Sequence, residues 1–451
     1  MLLTKRILAI LIFIFIFSAF MLPSTLNLSV SDSSHFDEWP MFRHDLAHTA
    51  FSDSAPLTTS DVLWIYSSRH VIWASPSVID GFVYIASDDR NVYCLNATTG
   101  EKIWNYSGRS AFGSSAAVID GYLYLGAYDR NVYCLNASTG VKIWNFTTGA
   151  TVQSSPAVAY GFVYVGSWDG NIYCLDAQTG EKIWNYTTGS LVESSPAVVN
   201  GYVYVGSVDS NVYCLDALTG VKIWNYSTGN VIQSSPAVSD GYVYVGSEDN
   251  NIYCLNATTG AKIWSYATHG WVDSSPAVAN GCVYVGSWDG DNNVYCLDVF
   301  TGEKIWNFTA AGSVNSSPAV AGGYVYVGSW DGTFYCLDAS TGVEVWSYKT
   351  GGHINSSPAV VNGIVYVGSW DHNVYAFGTS EASSTISQNS VSSTSTVTQL
   401  STQPSPSPSI VSTEPQIETW YWLVILIVAV IGALGFLVTK KNSPPKSAQV
   451  N

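Results

Sequence analysis

The sequence copies itself. Thr-Gly-x-x-x-Trp ends at Trp104, Trp144, Trp184, Trp224, Trp264, Trp306 and Trp346, in steps of 40 residues with a single step of 42. The long step coincides with Gly290-Asp291-Asn292-Asn293, a two-residue insertion in a turn. Each unit also carries variants of Ser-Pro-Ala-Val, Gly-x-Val-Tyr-Val-Gly-Ser, Asn-Val-Tyr-Cys-Leu-Asp and Lys-Ile-Trp-Asn-Tyr. These short β-branched and aromatic runs, bounded by Gly, Asn, Asp and Ser, predict four strands joined by tight turns. Four strands in about 40 residues is the pattern of a propeller blade, whose copies close into a ring.

Counting strands sets the blade number. The portion from Ser-Pro-Ala-Val to Cys-Leu occurs eight times, starting near Ser75, but the last copy ends at Tyr375-Ala376-Phe377-Gly378 without a Trp strand. An unattached Trp strand, Leu63-Trp64-Ile65-Tyr66, lies upstream. The economical arrangement is an all-β, eight-bladed propeller over residues 61–378, in which the N-terminal strand becomes the outer strand of the last blade. Closure then removes the open edge that a linear array would expose.

The flanks concern a membrane. Lys5-Arg6 and the apolar run Ile7–Leu22 predict a signal segment over residues 1–24, cleaved or retained as an anchor. A lead-in segment covers 25–60. Residues 379–418 are rich in Ser, Thr and Pro and cannot bury a core, so they read as a stalk. Residues 420–438 are long and apolar enough to span a bilayer, opening with Trp420, Tyr421 and Trp422 at the interface. Lys440 and Lys441 begin a cytoplasmic tail, 439–451. This order predicts single-pass attachment at the C-terminus, with the head outside the cell. Five of the 17 basic residues lie in these ends, which leaves a charge of −21 between them and makes nucleic acid a poor partner.

The repeat resembles the PQQ-like propeller family, which includes quinoprotein alcohol dehydrogenases and the propeller lipoprotein of outer-membrane barrel assembly. The family's tryptophan-docking motif is matched as Cys174-Leu-Asp176-Ala-Gln-Thr179-Gly180-Glu-Lys-Ile-Trp184, with Cys in place of the usual Ala. Trp39-Pro-Met-Phe-Arg-His-Asp-Leu-Ala-His-Thr49 resembles the lead-in of such propellers. The resemblance implies the fold. For function it leaves enzymes and scaffolds open.

What repeats is first a requirement of the blade. Trp64, with the seven Trp residues of the repeat, is assigned to docking between neighbouring blades. Asp89, Asp129, Asp169, Asp209, Asp249, Asp289, Asp331 and Asp371 are assigned to capping one turn per blade. Seven of the eight Cys share one strand position, too far apart for disulfides, and read as small buried hydrophobes. His44-Asp45 and His48 read as lead-in packing rather than metal ligands. Asn105, Asn145, Asn185, Asn225 and Asn307 lie in sequons beside the docking Trp, facing away from the core, and are glycosylation candidates.

What varies lies in two loops predicted to share one face. One presents Asp88, Tyr128, Trp168, Val208, Glu248, Trp288, Trp330 and Trp370; the other contributes Trp73, Arg109, Glu193, Trp271, Asp273 and His353, with several amides. Aromatic rings beside amides and carboxylates suit a protein or glycan ligand, although packing of the Trp side chains between blades explains them equally. No Ser/His/Asp grouping or nucleophile elbow appears. The expected function is therefore a non-catalytic surface binding or scaffold protein without a cofactor. The alternatives are a PQQ- and Ca²⁺-dependent alcohol or sugar dehydrogenase, for which Arg109 is the one cationic candidate, and a cell-envelope assembly factor.

Overall fold

In the computed structural model, residues 38–379 are described, Asp289 excepted. The signal segment, residues 25–37 of the lead-in, the stalk beyond Thr379, the span and the tail lie outside the described residues. No helix among the described residues is long and apolar enough to cross a membrane.

The described residues form eight antiparallel blades. Blade three is representative: an inner strand Ala157–Ala159, a second strand Phe162–Gly166, a third strand Asn171–Asp176 and an outer strand Lys182–Thr187. Alternation along the outer strand buries Trp184 and exposes Asn185. The ring closes as the strand count requires. Val62–Ser67 pairs antiparallel with Asn373–Phe377 and completes blade eight.

Neighbouring blades are joined by one repeated device. The indole Nε1 of Trp144 donates to the Ala177 carbonyl in the next blade, and the Tyr124 hydroxyl donates to the same oxygen. Around the ring the eight Trp bonds measure 2.9–3.1 Å and the eight Tyr bonds 3.1–3.3 Å. The indole also covers the glycine of the receiving turn. A Cβ on Gly180 would meet the Trp144 ring at 2.7 Å, and φ there is +73°.

Blade eight ends at Gly378 and has no such turn, so the carbonyl it should offer blade seven is missing. Leu57 of the lead-in supplies it, accepting Trp346 Nε1 at 3.0 Å and the Tyr326 hydroxyl at 3.2 Å. The same segment threads the axis. Carbonyls of Trp39, Pro40, Leu46, Ala47, Thr49 and Ala50 accept the amides of Val78, Val118, Val198, Val238, Val278 and Val320, at 2.7–2.9 Å, from the inner strands of six blades. Phe51–Ser52 adds in parallel to Ala319–Ala321, so the seventh sheet has five strands rather than the four expected. His48 and Arg43 are buried in this plug, their side chains bonded to the carbonyls of Pro236 and Pro318. Burial holds the His48 imidazole at a pKa of about 4, hence neutral.

A second ring lies at the entry to the inner strands. Each of Ser75, Ser115, Ser155, Ser195, Ser235, Ser275, Ser317 and Ser357 accepts at its hydroxyl the amide of its counterpart in the preceding blade. The bonds measure 2.9–3.3 Å and form a closed serine collar.

The cysteines are unpaired, and the seven at the repeated position are buried. Blade eight has Ala376 there, opposite Trp64, which is the small-residue role expected. Burial pushes the Cys174 thiol up to about 12.

Deleting residues 38–57 removes the acceptor for Trp346 and Tyr326 together with six axial bonds. At about 1 kcal/mol per buried hydrogen bond, the deletion is expected to lower the thermal midpoint by at least 10 °C. Leu57→Ala keeps the carbonyl and should lower it by only a few degrees. Equal midpoints for the deletion and the full chain in circular-dichroism melts would rule out this role for the lead-in.

Candidate functional site

The two variable loops do share a face, and a backbone bond holds them together in every blade. The amides of Asp88, Tyr128, Trp168, Val208, Glu248, Trp288, Trp330 and Trp370 donate to the carbonyls of Val71, Ala111, Thr151, Leu191, Val231, Trp271, Ser313 and His353. Side chains at these positions are therefore registered around the collar without taking part in the bond.

Five tryptophans form one arc across blades six, seven, eight and one. Ring centroids are 5.4 Å apart for Trp271–Trp288, 5.2 Å for Trp288–Trp330, 5.8 Å for Trp330–Trp370 and 4.3 Å for Trp370–Trp73. His353 stacks on Trp330 at 5.2 Å, and one of its ring nitrogens bonds the Trp330 carbonyl. The rings pack on one another, yet all five stay only half-buried. The indole nitrogens of Trp330 and Trp370 have no partner. Trp168, on blade three, stands apart from the arc, and its nitrogen is likewise unpartnered.

Carboxylates occupy the rest of the mouth. Asp88 accepts Trp73 Nε1 at 3.1 Å. Burial raises the Asp88, Glu193 and Glu248 carboxyls above their ordinary range, and for Glu193 the charge of Glu248 adds to it. Asp273 is pushed furthest, to about 7, by burial and then by Glu248 and Glu193. Tyr128 feels Asp88 and Glu193 across the opening, and burial with these charges lifts its hydroxyl to about 12.

Arg109 is exposed and sits beside Tyr106 and Tyr133 of the outer and third strands. The turn cap of blade six is reassigned. Asp291, not Asp289, accepts the Tyr295 hydroxyl at 2.8 Å and the Asn293 side chain, because the insertion moves the capping position two residues along; Asp289 itself lies outside the described residues.

The remaining caps are as expected. Asp169 accepts Tyr173, Asn171 and the Gly149 amide; burial alone would raise its pKa, but these bonds hold it below the ordinary value. Asn105, Asn145, Asn185, Asn225 and Asn307 are exposed on outer strands.

A quinone cofactor does not fit this mouth. Its carboxylates would meet Asp88, Glu193, Glu248 and Asp273, none of them paired with a cation. Among the described residues no group of three or more His, Cys, Asp or Glu is disposed to hold a metal ion.

The family model described as outer membrane protein assembly factor BamB matches residues 56–160, 88–230, 209–312 and 290–409. No curated protein matches the chain by sequence. Among solved structures, BamB from Moraxella catarrhalis is 20% identical, covering 71% of this chain and 99% of its own, with a TM-score of 0.63. The quinohemoprotein alcohol dehydrogenase of Comamonas testosteroni is 17% identical over 76% of this chain and 80% of its own, with a TM-score of 0.66. A europium-containing methanol dehydrogenase is 15% identical over 76% and 98%, with a TM-score of 0.67. At these identities the likeness is one of fold.

The raised pKa of Asp273 has a sign that can be tested. Between about pH 4 and 7 the folded state keeps a proton that the unfolded chain has lost, so stability falls as pH rises through that window. Asp273→Asn removes this slope. Its thermal midpoint should gain on the parent protein progressively from about pH 4 to 7 and hold the gain above; a difference independent of pH would contradict the assignment.

Proposed function

The chain belongs to the PQQ-like β-propeller family, and we propose that this member is a non-catalytic binding head that takes a protein or glycan at the mouth above the serine collar. The observation that carries this reading is the five-tryptophan arc, half-buried, with two unpartnered indole N–H groups. Buried N–H groups without acceptors are costly, and a ligand with carbonyl or hydroxyl oxygens would satisfy them while its apolar faces stack on the rings. The rest of the notional architecture belongs to the same proposal: export, a stalk, one membrane span, and glycans on the outer strands leaving the mouth clear.

A second reading, a cell-envelope assembly scaffold, draws on the BamB description of the family model and uses the same face. The dehydrogenase alternative is disfavoured by the mismatch of charge between a quinone and the mouth.

The test is a glycan array and site-directed photo-crosslinking with the full-length protein in detergent. Trp330→Ala and Trp370→Ala should each weaken capture of the ligand at least tenfold, while moving the thermal midpoint by only a few degrees. A ligand indifferent to both substitutions would place binding elsewhere. Dye-linked alcohol oxidation on addition of PQQ and Ca²⁺ would restore the enzyme reading.

A further inference from the structure

We infer that the mouth receives the ammonium or guanidinium group of a basic segment on a partner protein, seated between the tryptophan arc and the carboxylates facing it. The inference rests on the mouth being a binding surface, and it names the class of partner.

Charge complementarity is the first argument. The two ion pairs among the described residues, His44–Asp45 and Lys349–Asp331, do not involve Asp88, Glu193, Glu248 or Asp273. None of the four is salt-bridged to a cation, and Glu193, Glu248 and Asp273 feel one another's field. Glu248 raises the cost of ionising Glu193, and both raise that of Asp273, a cost that a cation between them would offset.

The second argument is the inventory of unmet hydrogen bonds. Asp88 Oδ1, Asp273 Oδ1 and Asn355 Oδ1 are buried acceptors without a donor. The amide of Asn355 carries no charge, so its demand is independent of the acidic cluster. These acceptors lie on blades one, six and eight, and because a single ammonium or guanidinium reaches only oxygens about 3 Å from its nitrogens, they suit a segment that brings more than one donor group. A bare metal ion needs its ligands gathered within one coordination sphere, an arrangement not found among the described residues.

Third, the aromatic wall favours the same occupant. Tryptophan is the strongest aromatic partner for a cation, and half-buried rings partly desolvate the pair. The unpartnered Nε1 donors of Trp330 and Trp370 then distinguish a peptide from a free amine. A peptide brings main-chain carbonyls for those donors together with its cationic side chain; a simple amine brings none.

Titration of the full-length protein in detergent, followed by tryptophan fluorescence, tests this. The probes are a Lys/Gly decapeptide, the same peptide with every lysine acetylated, n-butylammonium, and a neutral oligosaccharide. The lysine peptide should bind saturably. The acetylated peptide should bind at least tenfold more weakly, and butylammonium should bind weakly as well. Glu248→Gln combined with Asp273→Asn should weaken the lysine peptide at least tenfold, and binding should loosen with salt. Glu181→Gln, far out on an exposed turn, should leave it unchanged.

Equal binding of the acetylated peptide, no saturable response to the lysine peptide, or butylammonium as tight as the peptide would each overturn the inference. Tight binding of the oligosaccharide, lost in Trp330→Ala, would overturn it while leaving the binding-head reading intact. Lysine-peptide binding that survives Trp330→Ala and Trp370→Ala would overturn both.

Discussion

Each blade is held to the next at one carbonyl oxygen that accepts two donors, the indole N–H and a tyrosine hydroxyl of its neighbour. This constraint explains most of what repeats. The acceptor must be presented by a tight turn, and that turn must be free of side chain where the indole crosses it. The turn is therefore Ala-x-Thr-Gly, or in one blade Val299-Phe300-Thr301-Gly302, whose main chain does the same work. A ring of eight needs eight acceptors, while the repeat encodes seven turns. The shortfall places Leu57, and the lead-in that carries it, inside the architecture rather than ahead of it.

The plug shows how such a segment is kept in place. Arg43, His44, His48 and Ala50 all have positive φ without being glycine. Each costs on the order of 1 kcal/mol. The six axial bonds, at about 1 kcal/mol apiece, together with burial of Trp39 and Leu57, offset that strain.

These contacts also explain what was legible beforehand. Blade number, ring closure and docking tryptophans followed from periodicity, because a side chain used once per blade must recur once per blade. Leu57 did not follow, since its contribution is a main-chain oxygen that any residue carries. The collar serines were visible as a repeat, but their bonding partners lie one full unit away. The cap of blade six has its own signal in the chain. Asp291, Asn293 and Tyr295 reproduce the spacing of Asp249, Asn251 and Tyr253, and a count made from the tyrosine would have crossed the insertion correctly.

The mouth obeys a different logic from the ring. Its two loops are joined by main-chain bonds, so neither variable position is needed to keep the blades together. Side chains there are released from the eightfold constraint, and this is where the blades stop resembling one another. Freedom from that constraint does not make every choice neutral. Asp273 is half-buried beside two other acids and carries a pKa near 7, an arrangement that weakens the folded state at neutral pH. Nothing in the propeller's own bonding uses that carboxylate, since its buried oxygen has no donor. A destabilising acid at a position that the fold leaves free is best understood through what it meets from outside, and the aromatic arc beside it presents the matching surface.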